Sequence, residues 1–145
     1  MIAVDTNVLV YAHREESEHN DRCYGLLASL AAGTAPWGIP SPCLAEFLCV
    51  VTHPRYLDTP TPSSLAIEQI RYWLAASNMT VLRESARTWD TLRELVDAAN
   101  LTGPRVYDGR IAAICLDRGV REIWSADRDF SKFPKLRTRN PLVDE

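Results

Sequence analysis

The chain has 145 residues, 46% of them hydrophobic and 24% charged, with a formal net charge of −3. That is the composition of one globular domain with its own core, which excludes a disordered or fibrous chain and argues against a strongly basic nucleic-acid binder. The longest apolar runs, Ile111–Leu116 and Phe47–Val51, fall far short of the roughly 20 residues of a membrane-spanning helix. Met1–Asp5 has no basic n-region of a secretory leader, so the expected location is cytoplasmic, without membrane contact.

Taken in chain order, Ile2-Ala3-Val4 is a short apolar run that stops at an acid, as a buried parallel strand does. Thr6-Asn7-Val8-Leu9 turns into a helix. Asn20–Ala32 is helical in composition and halts at Gly33, and Trp37-Gly38-Ile39 between prolines reads as a second strand. After Ser41-Pro42 a helix carries Leu44, Phe47, Leu48 and Val51 at i, i+3, i+4 and i+7 and ends before Pro54. Asp58–Pro62 is a loop.

Ser63–Ala76 repeats the helical pattern with Ile67, Ile70 and Leu74, and Met79–Leu82 is a strand. Ser85–Asn100 is a helix with Trp89, Leu92, Val96 and Ala99 on one stripe. A further helix from Val106 to Arg118 is closed by Gly119. Glu122–Ser125 reads as a strand and Leu136–Thr138 as a last one. Strands alternating with helices predict a single α/β domain over residues 1–145, with a mostly parallel sheet of four to five short strands flanked by helices.

The four cysteines, Cys23, Cys43, Cys49 and Cys115, form no C-x-x-C pair and have no histidine at zinc spacing, so they read as reduced core thiols. His13, His19 and His53 read as solvated or capping residues. Fourteen of the sixteen cations are arginine. Arginine matches phosphate geometry well and is equally an ordinary surface residue.

Certain carboxylates stand in awkward places. Asp5 ends the first strand, at the kind of strand end where open α/β sheets place their sites, although it could simply cap the next helix. Glu46 lies in a helix apolar on nearly every side with no cation within a turn or two. Such a group, if buried, must neutralise or find a positive partner. The alternative is that its head escapes to solvent. Asp108 shares the inward stripe of Ile111, Ala112 and Cys115 near a helix N-terminus, which favours an anion, and it could equally serve only to cap that helix. Asp127 follows the Glu122–Ser125 strand and Asp129 comes two residues later, where either could make an Asx turn.

Like charges gathered at one sheet edge repel, and a hard divalent cation is a physical reason to gather them. Oxygen-only ligands favour Mg²⁺ or Mn²⁺ over Zn²⁺, which points to phosphodiester hydrolysis. Rival acid sites fail on the sequence. Asp5-Thr6-Asn7 lacks the second acid of the D-x-D of haloacid-dehalogenase-like phosphatases. Neither Lys132 nor Lys135 is placed as in a response-regulator receiver, and there is no phosphate-binding glycine loop or G-x-S-x-G elbow.

Asp5-Thr6-Asn7-Val8-Leu9, Glu46 in its apolar helix, Tyr107-Asp108-Gly109-Arg110-Ile111-Ala112-Ala113 and Ser125-Ala126-Asp127-Arg128-Asp129-Phe130 together resemble the PIN-domain nucleases. More narrowly, they resemble the VapC toxins of type II toxin–antitoxin systems. The resemblance spans essentially the whole chain. It implies an endoribonuclease dependent on Mg²⁺ or Mn²⁺, held inactive by a cognate VapB-type antitoxin and usually homodimeric.

By position, Asp5, Glu46, Asp108 and Asp127 match the family's catalytic, metal-binding acids, with Glu46 ligating directly or through water. Asp129 matches a fifth acid used less uniformly. Thr6 and Ser125 match small hydroxyl positions near the metal, with Asn7 beside them, and Ser125 stands where many relatives have Thr. The mechanism implied is in-line attack by water, leaving 5′-phosphate and 3′-hydroxyl ends. Arg14, Arg105, Arg110 and Arg128 lie near the acidic motifs in sequence and are candidates to hold flanking RNA phosphates. The alternatives are a non-catalytic PIN-fold interaction protein and a structure-specific DNA nuclease.

Overall fold

In the computed structural model, which describes residues 1–143, strands and helices alternate as expected. The order is β1 (Ile2–Val4), α1 (Thr6–His13), α2 (Asn20–Ala32), β2 (Trp37–Pro40), α3 (Ser41–Val51), α4 (Ser63–Leu74), β3 (Met79–Leu82), α5 (Thr88–Ala99), α6 (Arg105–Asp117), β4 (Glu122–Trp124) and β5 (Arg137–Arg139). A 3-10 turn at Arg128–Lys132, which the sequence pattern does not announce, separates β4 from β5. Residues 144 and 145, the end of the expected domain, lie outside the described residues.

The five strands form one sheet in the order β3-β2-β1-β4-β5, and every pairing is parallel. From β1 the chain builds outward through β2 and β3, then returns to place β4 on the other flank of β1. The order therefore reverses between β1 and β4, and in open parallel sheets the crevice beyond the carboxyl ends at such a reversal is where ligands bind. Asp5 follows β1 and Ser125–Asp127 follows β4, so both enter that crevice directly from the core of the sheet.

Several helix ends have a local reason. Pro42 sits in the first turn of α3, where its missing N–H costs nothing. Asn100 ends α5 in the left-handed conformation at φ 48°. Gly119 ends α6 at φ 72°, with Val120 N–H on the Cys115 carbonyl at 2.9 Å and Gly119 N–H on that of Leu116 at 3.1 Å, a Schellman closure. α5 begins at Thr88 rather than Ser85 because hydroxyls take over the backbone there. Ser85 N–H donates to Thr88 Oγ1 at 2.9 Å, and the hydroxyls of Ser85, Thr88 and Thr91 all donate to Asp117 of α6.

One expected helix face is rotated, and a second lacks its first expected member. On α4, Ala66 and Trp73 are buried with Ile70 partly so, whereas Ile67 and Leu74 are 42% and 41% exposed. Trp73 turns the helix by packing edge-on against Phe47, with ring centres 5.0 Å apart. On α5, Leu95, Val96 and Ala99 meet the core and Trp89 is left 69% exposed. Cys23, Cys43 and Cys115 are buried free thiols, but Cys49 is exposed, because it lies off the Cys43–Phe47–Val51 stripe that α3 turns inward. Nor is His13 merely solvated. It bonds Gln69 and Thr61 and meets Phe47 edge-on, tying the loop before α4 to α1.

Gly38 lies in β2, where a Cβ would meet Leu82 at 2.8 Å and the Thr80 carbonyl oxygen at 2.9 Å. The carbonyl belongs to the neighbouring strand and cannot step aside. At Gly109 of α6 the obstacles are the ends of Leu101 and Leu92, at 2.6 and 3.2 Å, and alanine there also regains helix propensity of about 1 kcal/mol. Gly38→Ala is therefore expected to lower stability by about 1–3 kcal/mol and by more than Gly109→Ala. Urea unfolding midpoints at constant m-value check the order, and equal or reversed losses would contradict it.

Candidate active site

The floor of the crevice is a hydrogen-bonded clamp around Asp5, which is 5% exposed. Its Oδ1 accepts the Thr6 N–H at 2.8 Å, so Asp5 does cap α1, and it also accepts the Cys43 thiol at 3.6 Å. Its Oδ2 accepts the Ser125 hydroxyl at 2.6 Å and an Asn7 amide N–H at 3.1 Å. Ser125 Oγ in turn accepts from Asn7 at 3.2 Å and from the Asp127 N–H at 3.0 Å, so its one donor and two acceptor positions are all used. Asn7 Oδ1 accepts the Ala126 N–H at 3.0 Å. Asn7 and Ser125 thus stitch the end of β1 to the end of β4. Burial raises the Asp5 carboxyl above its usual range, against the pull of the Ser125 and Thr6 hydrogen bonds and with the nearby Glu46 charge adding to the rise.

Glu46 is exposed, contrary to a buried reading of its helix. α3 buries Cys43, Phe47 and Val51 and turns Ala45 and Glu46 outward, over the crevice. Its Oε2 accepts the Thr6 hydroxyl at 2.8 Å, and it forms no ion pair among the described residues.

Asp108 lies in the first turn of α6, carried there by the buried stripe Ile111, Ala112 and Cys115. Its carboxyl is raised to about 6, first by desolvation and then by the charges of Asp127, Asp5, Asp129 and Glu46. Asp127 makes the Asx turn that opens the 3-10 segment, its Oδ1 accepting the Asp129 N–H at 2.8 Å. That turn brings Asp129 round, so that Asp108, Asp127 and Asp129 each offer an oxygen within 4.8 Å of the others.

All five acids line one connected recess. Glu46, Asp108, Asp127 and Asp129 border a hollow of about 700 Å³, and Asp5, Thr6 and Asn7 border an adjoining one that shares Glu46, Asp108 and Asp127 with it. An oxygen-only set of mutually repelling carboxylates fits a hard divalent cation and lacks the nitrogen or sulfur donors of a zinc site.

The arginines divide. Arg105 and Arg110 line the hollow, Arg105 3.7 Å from Asp129 and Arg110 2.5 Å from Glu84. Arg14 is turned away. Its Nε donates to Glu16 at 2.6 Å and its Nη1 to Thr61 at 3.1 Å, in a separate depression beyond the end of α1. Arg128 is exposed and outside the residues lining the hollow.

Two contributors escaped the sequence reading. Cys43 was visible only as a core thiol, although its position one helical turn before Glu46 puts it at the same crevice. Tyr107, adjacent to Asp108, lines the hollow and is 69% exposed.

The PIN domain family matches residues 2–136. The chain belongs to this family. Ribonuclease VapC43 of Mycobacterium tuberculosis is 38% identical over 142 residues, spanning 98% of this chain and 96% of its own. Ribonuclease VapC48 of the same organism is 31% identical over 138 residues, 95% of each chain. Among solved structures, VapBC2 of Rickettsia felis, bound to a DNA fragment from its promoter, superposes with a TM-score of 0.69 at 23% identity, covering 97% of this chain and 98% of that one. Within the PIN family the chain therefore groups with the VapC ribonucleases, and the acid-lined crevice lies at the sheet reversal of the shared fold.

The raised Asp108 carboxyl has a consequence for stability. A folded-state pKa near 6 against an ordinary value of 3.8 means the folded chain holds the extra proton between those values, so this group makes stability fall as pH rises from about 4 to about 6. Without divalent cations, Asp108→Asn should therefore melt at a higher temperature than the parent at pH 7, with the gap closing by about pH 4. Paired melting curves in EDTA check this, and a gap independent of pH would contradict it.

Proposed function

We propose that this chain is an endoribonuclease toxin that hydrolyses RNA phosphodiester bonds with a divalent cation, Mg²⁺ or Mn²⁺, and that a cognate VapB-type antitoxin neutralises it. The observation that carries the reading is the convergence of Asp108, Asp127 and Asp129 within 4.8 Å, beside Asp5 and Glu46, in a chain of the VapC group. The ribonuclease activity is what the relatives VapC43 and VapC48 are named for, and the antitoxin follows from the resemblance to the VapC toxins. We further propose that residues 1–145 act as one nuclease domain, in the cytoplasm and as a homodimer. Within the described residues no helix is long and apolar enough to cross a membrane.

Asp108, Asp127 and Asp129 would hold the cation, with Asp5 and Glu46 beside them adding negative charge. When bound, the cation supplies charge neutralisation, Lewis-acid polarisation of the scissile phosphate and a lowered pKa for water. The side chains do the rest. Asn7, Ser125 and Cys43 fix the Asp5 carboxylate so that it need not reorganise during reaction. Thr6 fixes one oxygen of Glu46, leaving the other to orient the attacking water. Arg105 and Arg110 hold the phosphates on either side. The Arg105–Asp129 contact is long and solvent-accessible, so exchanging it for a phosphate costs little. Arg14 and Arg128 have no part in this arrangement.

Purified protein should cleave RNA with Mg²⁺ or Mn²⁺, leave 5′-phosphate ends and lose activity in EDTA. Removing a carboxylate that supports several kcal/mol of transition-state charge stabilisation should lower the rate at least about a hundredfold in Asp108→Asn or Asp127→Asn. Cleavage that survives EDTA, or that is unchanged in both variants, would sink this reading. Equal cleavage of DNA would replace it with a general nuclease.

A further inference from the structure

Most large side chains of this molecule are accounted for by the core. Tyr107 is not. It is 69% exposed, and among the described residues its side chain makes no hydrogen bond and its ring meets no other ring. Tyr56, exposed as well, is stacked face to face on His53 at 3.7 Å. Tyr107 also stands next in sequence to Asp108, on the rim of the 700 Å³ hollow. The same rim carries Arg105 and Arg110 from its own helix and Pro42 from α3 across the opening.

A ring on the first turn of a helix, lining one hollow together with the carboxylates of Asp108, Asp127 and Asp129 and two arginines, has the composition of a nucleotide seat. The arginines pair with phosphates, and the uncommitted aromatic face takes a base. Bases stack on exposed aromatic rings without regard to sequence because every base has a π-face. In a duplex both faces of a base are covered by its neighbours, so only an unpaired base can lie on such a ring.

We propose that Tyr107 is a substrate-seating residue, on whose ring a base flanking the scissile phosphate stacks, so that the nucleotide entering the hollow is unpaired. This rests on the nuclease reading of the same hollow and adds a residue that places the substrate rather than one that performs the chemistry. Tyr107 takes no proton and holds no cation. Its contribution belongs in KM more than in kcat.

The test uses the full-length protein, a short unstructured RNA, and copies of that RNA with a single abasic nucleotide placed at each position in turn. Tyr107→Ala should raise KM about tenfold, as expected for the loss of one base–aromatic stack, with kcat nearly unchanged. Tyr107→Phe and Tyr107→Trp should behave as the parent does. One abasic position should weaken the parent to the level of Tyr107→Ala while leaving Tyr107→Ala itself unaffected, a coupling that a merely structural tyrosine would not produce. Fluorescence anisotropy on the same RNAs reads the same comparison as an affinity. An unchanged KM and affinity in Tyr107→Ala, or an abasic loss of equal size in both proteins, overturns the proposal. A parent that binds with this coupling yet never cleaves counts against the nuclease reading instead.

Discussion

Like charge repels, and the centre of this molecule is an arrangement that holds five carboxylates around one recess despite it. The restraint is specific. Asn7 and Ser125 join the ends of β1 and β4 through Asp5, the Ala126 N–H and the Asp127 N–H. The buried stripe of α6 commits Asp108 to the same edge. The repulsion is visible in the Asp108 carboxyl, whose charged form is disfavoured by burial and by four neighbouring acids. A cation that neutralises the recess is the natural complement of a fold that spends core packing and hydrogen bonds on keeping these groups together.

The topology explains why residues from four distant stretches can meet. Only at the reversal between β1 and β4 do two adjacent strand ends have chain leaving in different directions, which opens the crevice that α3 and α6 then border. Asp5, Ser125 and Asp127 are delivered by the sheet itself. Glu46 and Asp108 come from helices whose other faces are core, so their positions are set by Cys43, Phe47 and Val51 on one side and by Ile111, Ala112 and Cys115 on the other. The rigid elements set the place of each acid, and Thr6, Asn7 and Ser125 set its angle.

Much of this was legible in the residues. The alternation of strand and helix and the acids at strand ends follow from short apolar runs, helical periodicity and the motifs around Asp5, Asp108 and Asp127. What was not legible depends on partners remote in sequence. The burial of Glu46 could not be read from α3 alone, because neighbouring apolar residues such as Cys49 lie on its exposed side. The buried face of α4 departs from its apolar spacing because Trp73 rather than Leu74 finds Phe47. Arg14 is close to the first motif in sequence, yet eight helical residues carry it past the crevice to Glu16 and Thr61.

The chemistry of this crevice turns on where a cation sits. A crystal of the protein equilibrated with Mn²⁺ and measured at a wavelength where manganese scatters anomalously locates the ion without reference to activity. The expected result is a peak bounded by the carboxylates of Asp108, Asp127 and Asp129, on the side facing Asp5. No peak in the recess at a saturating concentration, or a peak held by other residues, would contradict it.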